Sequence, residues 1–313
     1  MDRNNQTGFT EFLLLGLSGQ PEQEEVLFGF FLWMYLVTIA GNMLITLAIS
    51  CDSHLHTPMY FFLANLSCVD ICLSSVTIPK MLVNHVLGSK SISYGGCMTQ
   101  TYFFITLGNM DSFLLSVMAY DRYVAVCCPL HYAMRMRPRL CVLLVAVSWL
   151  LTHLHALLHT ILMVRLTFCS DNAVHHFFCD PEAILKLSCS DTFINDLMIL
   201  TVGGLVFLTP FTCIIVSYAC IFSMVLRSPS VRGLRKALST CGSHLTVVSL
   251  FYGAILGVYM HPSSSYSVQD TVATVIFTVV TPLVNPFIYS LRNHDMKGAI
   301  RKLTFRRLVL SRF

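Results

Sequence analysis

Val26-Leu27-Phe28-Gly29-Phe30-Phe31-Leu32-Trp33-Met34-Tyr35-Leu36-Val37-Thr38-Ile39-Ala40-Gly41-Asn42-Met43-Leu44-Ile45-Thr46-Leu47-Ala48-Ile49 runs for 24 residues without a charged side chain. As an α-helix it would be about 36 Å long, enough to cross about 30 Å of hydrocarbon. Similar stretches follow near 58–82, 97–122, 140–164, 197–226, 237–260 and 270–291. The second contains Asp70 and the third Asp111, which weakens both by hydropathy. Treating either as soluble, however, would leave an unexplained apolar run in water. The chain is 55% hydrophobic and 12% charged, against roughly 25% charge in soluble domains. The expected fold is therefore an all-α membrane protein, a seven-transmembrane helix bundle over residues 26–292, with tails at 1–25 and 293–313.

Lys and Arg placement orients the bundle. With the N-terminus outside and the C-terminus cytosolic, fifteen of the 20 basic residues fall on the inner side. They run from Arg122 through Arg135, Arg137, Arg139, Arg227 and Arg235 to the tail. Only Arg3, Lys80, Lys90, Arg165 and Lys186 fall outside. The net charge of +4 then reads as topology and attraction to the membrane surface, and gives no reason to expect nucleic acid. No cleavable signal peptide is expected, because the early apolar stretch Phe12 to Leu17 is too short for one. Asn5-Gln6-Thr7 is a glycosylation sequon on the outer tail. Asn65-Leu66-Ser67 also matches, but lies inside the second span.

The long connection is 165–196, between spans four and five. It carries Cys169, Cys179 and Cys189, and Cys97 stands at the outer start of span three. On an oxidising face these are disulfide candidates. Sequence permits several pairings; Cys97–Cys179 with Cys169–Cys189 is preferred. Beyond span seven, Met296, Ile300 and Leu303 share a helical face among basic residues, which predicts a helix on the inner leaflet over 293–309 rather than a solvated basic tail.

Six motifs occur in order. Gly41-Asn42 lies in span one, and Leu55-His56-Thr57-Pro58-Met59-Tyr60 opens span two. Met118-Ala119-Tyr120-Asp121-Arg122-Tyr123 closes span three, and Ser217-Tyr218 lies in span five. Lys236-Ala237-Leu238-Ser239-Thr240-Cys241 opens span six, and Pro282-Leu283-Val284-Asn285-Pro286-Phe287-Ile288-Tyr289 closes span seven. Over nearly its whole length the chain resembles the rhodopsin-like G-protein-coupled receptors, and within them the odorant receptors. The resemblance implies a receptor, not an enzyme, in the plasma membrane, in olfactory cilia. It implies an odorant ligand, a stimulatory heterotrimeric G protein and raised cyclic AMP. It also implies that Arg122 is held by Asp121 in the off state, and that Tyr218 and Tyr289 receive it in the on state. By itself Asp121-Arg122-Tyr123 also reads as interfacial anchoring.

Asp70 and Asp111 each sit about 17 Å in from the cytosolic side at 1.5 Å per residue. An ionisable residue in a span is costly and points to function. Asn42 and Asn285 can approach the same layer, where two carboxylates must share a proton or a cation. The resemblance suggests a sodium ion; a water-filled polar network is the plainer alternative. No other cofactor is expected.

The candidate ligand cavity lies in the outer half. Phe104, Ile105, Gly108 and Asn109 share a face of span three at helical spacing. Val202 and Val206 of span five, Ile255 and Tyr259 of span six, and Thr278 of span seven lie at matching depth. Span seven has no Lys, which excludes a retinal Schiff base. Phe104 stands where amine receptors of this class carry an Asp, so a largely neutral volatile molecule fits best. Two departures from the wider class stand out. Phe251-Tyr252-Gly253 replaces a Trp–Pro toggle, and Arg235 and Lys236 stand where relatives place an acid. His153, His155 and His159 on span four, and His175-His176, are too few converging ligands for a metal site. The main rival function, a transporter, is opposed by the odd span count and the lack of a repeat.

Overall fold

The structure is a computed structural model. It describes residues 10–16, 21–169, 172–227, 231–259, 268–292 and 294–310, without side chains at 21, 231–240, 258–259, 268–270, 291–292, 294 and 304–310. The sequon at Asn5 lies outside the described residues, as does the Tyr259 side chain.

Strand β1 (Glu11–Leu14) precedes α1 (Pro21–Cys51) and α2 (Pro58–Leu87). Strand β2 (Ser91–Ser93) leads into α3 (Tyr94–Cys127), followed by the short α4 (Tyr132–Arg135) and α5 (Pro138–Val164). The long loop contains β3 (Ala173–Val174) and α6 (Pro181–Leu185). Then α7 (Phe193–Met198) passes through a π-helical turn, Ile199–Gly203, into α8 (Gly204–Arg227). Helix α9 (Val231–Tyr259) follows. Next, α10 (Val268–Val275) runs through a second π-helical turn, Ile276–Val280, into α11 (Thr281–Arg292), and α12 (His294–Leu310) ends the chain.

Seven spans result: α1, α2, α3, α5, α7 with α8, α9, and α10 with α11. Six of them contain the expected stretch, and α9 covers 237–259 of the expected 237–260, residue 260 lying outside the described residues. Six are long and apolar enough to cross a membrane by length and composition, and span six adds a shorter apolar stretch, Cys241–Gly257. The ends follow from local chemistry. Pro58 and Pro138 open helices at positions where a backbone N–H has no partner to lose. Gly88 ends α2 in the left-handed conformation, φ 59°, returning its N–H to the Asn84 and His85 carbonyls. Ser93 caps α3 by accepting from the Gly96 N–H at 3.1 Å.

Side chains divide between a shared core and an apolar outer surface. Only 11% of the span-five window is buried within the protein, so Leu200, Leu205 and Leu208 face outward. In water such a belt would be costly; in lipid it is matched. Gly41 lets spans one and seven approach closely, since a Cβ there would lie 3.1 Å from Pro286.

The disulfide-bearing end carries a small three-stranded sheet in the order β2-β1-β3. β1 pairs antiparallel with β2, placing Phe12 opposite Ile92, and parallel with β3, placing Leu13 opposite Ala173. Phe12 is fully buried between Tyr94 and Phe168. The tail before span one is therefore partly a strand. Disulfides join Cys97 to Cys179 and Cys169 to Cys189.

At the opposite, Arg-rich end, α12 packs Met296 and Ala299 into the bundle core. Lys302 lies 2.9 Å from Asp52 and draws that carboxyl down to about 2. The apolar face expected to lie on lipid thus partly docks against the protein.

Candidate functional site

Halfway along the bundle, the Asn285 amide donates to both carboxylate oxygens of Asp70, at 3.2 and 2.9 Å. Asp70 and Asp111 are both buried and close enough to interact electrostatically. Asn42 joins the layer by donating to the Thr38 and Pro282 carbonyls. Several buried oxygens here have no partner among the described residues: Asp111 Oδ1, Ser74 Oγ, Asn285 Oδ1 and Asn42 Oδ1. Unpaired buried acceptors are expensive. Oxygen ligands around two carboxylates are the donor set a hard cation requires.

Toward the disulfide end, the span-three residues pack into an aromatic cluster. Phe104 packs on Phe178 of the long loop, with ring centroids 4.8 Å apart, and on Phe277 of span seven at 6.0 Å. Gly108 is needed here, because a Cβ would lie 3.0 Å from the Phe277 ring. Asn109 donates to the Ile105 carbonyl and lies 3.1 Å from His155 Nδ1. His155 in turn meets His159, Nε2 to Nε2, at 3.0 Å. Ile255 and Phe277 both pack against the bundle core. Val202 falls in the first π-helical turn and Val206 one turn beyond. Thr278 is fully buried, its hydroxyl donating to the Thr274 carbonyl.

Two residues here were not among the expected ligand-site residues, although His155 was weighed as a metal ligand. His155 forms the polar corner with Asn109, and Phe277 faces Gly108. A search for polar side chains opposite Asn109 would have found the first. The second was concealed because a π-helical turn inserts an extra residue and rotates the faces that follow. Among the described residues, no three His, Cys, Asp or Glu side chains group to hold a metal. His153 instead bonds Tyr102 at 2.8 Å.

Deeper in the bundle, Tyr252 hydrogen-bonds Ser112 at 2.6 Å and packs on Phe207, Phe211 and Phe251. The aromatic column Phe178–Phe104–Phe277–Phe251–Tyr252 thus runs from the loop to the bundle centre.

At the Arg-rich end, Asp121 accepts from the Tyr132 hydroxyl of α4 at 2.7 Å. Arg122 points its guanidinium at the Met59 sulfur. Among the described ion pairs none joins Arg122 to Asp121, so the restraint implied by resemblance is an electrostatic neighbour effect here. Tyr123 follows on the same helix. Tyr289 is buried and its hydroxyl has no partner among the described residues.

His244 was also missed by sequence reasoning. It is 1% exposed, with Nε2 3.1 Å from the Leu115 carbonyl and Nδ1 2.7 Å from the Tyr218 hydroxyl. A carbonyl can only accept, so Nε2 carries the proton and Nδ1 accepts from Tyr218. Ser243 donates to the Ile288 carbonyl at 3.2 Å. Two adjacent residues thus tie span six to spans three, five and seven, where Arg235 and Lys236 offer no acid. A polar pair inside an apolar span was the available signal.

Seven spans, a disulfide from the top of span three to the long loop, and a buried acid–amide layer define a rhodopsin-like receptor. In fold the chain is similar to squid rhodopsin, with a TM-score of 0.69 at 18% identity, covering 87% of this chain and 78% of that one. The family is narrower. Residues 31–307 match the olfactory receptor family model. The chain is 60% identical to Olfactory receptor 1f45 of Rattus norvegicus over 97% of both chains. It is 59% identical to Olfactory receptor 1F1 of Homo sapiens over 98% of both. This protein belongs to the olfactory receptor family. It is a multi-pass membrane receptor that signals and is not an enzyme, and a transporter reading finds no support.

Proposed function

We propose that this receptor binds small, largely neutral volatile organic molecules between Phe104, Gly108, Asn109, Ile255 and Phe277, and that binding activates a stimulatory heterotrimeric G protein to raise cyclic AMP. The observation that supports the reading is the aromatic cluster with one polar corner, Asn109–His155. Such a lining rewards apolar area and leaves a single place for a ligand oxygen or nitrogen. In this reading the N-terminus and the disulfides are extracellular, the C-terminus is cytosolic, and the protein works in the plasma membrane of olfactory cilia.

The switch is a two-state bundle. A ligand shifts it only by its difference in affinity for the two states. Binding displaces the aromatic column, span six leaves Leu115 and Tyr218, and a cytosolic cleft floored by Arg122 opens to the G protein. Asp70, Asp111, Ser74 and Asn285 would hold a sodium ion in the closed bundle, where it neutralises the paired carboxylates. The test is a screen of chemically diverse volatiles on cells with a cyclic-AMP reporter. Arg122→Ala should abolish the response while leaving surface delivery intact; a normal response from that variant refutes the coupling role.

A further inference from the structure

Between spans six and seven, level with the candidate cavity, the structure has an apolar groove of about 470 Å³ open to the side of the bundle. Ser249, Gly253 and Gly257 recur at every fourth residue along one wall, and Val272, Ala273 and Ile276 form the other. Small residues alone would signify only close helix packing, and at Gly257 a Cβ would sit 3.9 Å from the Ala273 Cβ, but at Gly253 the helices stand apart. A Cβ on Gly253 would meet nothing within 4 Å. Val272 and Leu256 beside the groove are exposed on the lipid-facing surface.

On each helix one residue separates the groove from the proposed ligand site. Ile276 lines the groove, and the next residue, Phe277, covers Gly108 inside. Ala254 lines the groove, and the next residue, Ile255, packs against the bundle core. On span seven this separating stretch is also the π-helical turn Ile276–Val280. That geometry is strained relative to an α-helix and is secured by the Thr281 hydroxyl donating to the Ile276 carbonyl at 2.9 Å. By contrast, the described part of the disulfide end is covered. Phe12, Phe177 and Phe178 are fully buried there beneath a crosslinked sheet.

We infer that the groove is the lateral entrance through which an apolar ligand dissolved in the bilayer reaches the cavity, with Phe277 as the inner gate. The inference rests on the cavity reading above and adds the route. Its occupant is the ligand itself, a small neutral molecule. Each methylene favours lipid over water by about fourfold, so such a molecule is already concentrated beside the opening. Passage then requires Phe277 to swing off Gly108, and leaves the crosslinked cap undisturbed.

The test uses the full-length receptor in phosphatidylcholine nanodiscs and phenyl(trifluoromethyl)diazirine, a small apolar photoreactive probe that enters lipid. Flash photolysis at increasing delays after mixing, followed by peptide mapping, follows its arrival. Groove residues should label first and Phe104 and Gly108 later. Gly253→Leu, whose Cβ would meet nothing within 4 Å, puts a side chain in the groove and should slow inner labelling by about tenfold or more, with labelling of Leu205 on span five unchanged. Phe277→Ala should speed it. Gly257→Val fills the same groove one turn along and carries the test if Gly253→Leu fails to fold. Inner labelling at the wild-type rate in a filled variant overturns the lateral route but leaves the cavity standing. Absence of inner labelling in the wild type overturns the cavity and the route together. Labelling of Leu256 and Val272 that never reaches Gly253 or Ala273 means that a sterol or a second copy fills the groove, and also overturns the route.

Discussion

Replacing His244 with Phe is expected to raise signalling in the absence of ligand. Its imidazole makes two buried bonds, to the Leu115 carbonyl at 3.1 Å and the Tyr218 hydroxyl at 2.7 Å. Opening the Arg-rich end requires span six to leave span three, so both bonds belong to the closed bundle. Neutral hydrogen bonds contribute about 0.5–1.5 kcal/mol each, so losing two should favour opening by about 1–3 kcal/mol. That is about a 5- to 150-fold shift in the ratio of open to closed receptors. Phe keeps much of the ring volume, so the change should not be dominated by a cavity. The assay is basal cyclic AMP, normalised to receptor counted at the cell surface by an N-terminal tag. Tyr218→Phe removes one of the two bonds and should raise the basal level by less. Wild-type basal signalling from His244→Phe at equal surface density would refute the latch.

Four further outcomes are expected. Cys179→Ser should reduce surface delivery and thermal stability, since a crosslink across 82 residues contributes about 4 kcal/mol by loop-closure entropy; unchanged melting of the purified variant would contradict this. In the long loop, burial lowers His176 to about 3, so the folded loop resists its protonation. Its stability contribution is present above pH 6.5 and is lost as pH falls, and His176→Gln should melt less steeply than wild type between pH 6.5 and 4.5. Asp180, raised to about 6 chiefly by burial, has the opposite sign. The folded form holds its proton more tightly, so Asp180→Asn should remove a stabilisation gained as pH falls from about 6 toward 4; parallel melting curves for wild type and variant would count against it. Finally, Gly41→Leu should destabilise the bundle by about 1–3 kcal/mol through overpacking against Pro286, read as a lower melting temperature in nanodiscs.

Hydrophobic run length made the seven spans legible, because bilayer thickness sets a minimum that almost no soluble helix meets. The acid layer was legible for a related reason. Asp70 and Asp111 stand out in an apolar background, and helical rise converts residue number into depth. The disulfide partners were narrowed by their position near one end of the bundle.

Sequence could not show what depends on rotation and on the gaps between helices. Two π-helical turns, at Ile199–Gly203 and Ile276–Val280, shift the faces of spans five and seven. Phe277 therefore covers Gly108, a contact that regular periodicity does not reveal. The docking of β1 against β2 and β3 depends on loops meeting across 80 and more residues of chain, and strand register there has no local signal. His244 could be seen as a polar residue in a span, but its partners on spans three and five were set by packing. The amino-acid order by itself determined how many times the chain crosses lipid and at what depth its charges lie, since both follow from hydrophobic length and a fixed rise per residue. Only the tertiary structure decided which side chains meet at each depth, because helix rotation and separation are set by contacts among all seven spans at once.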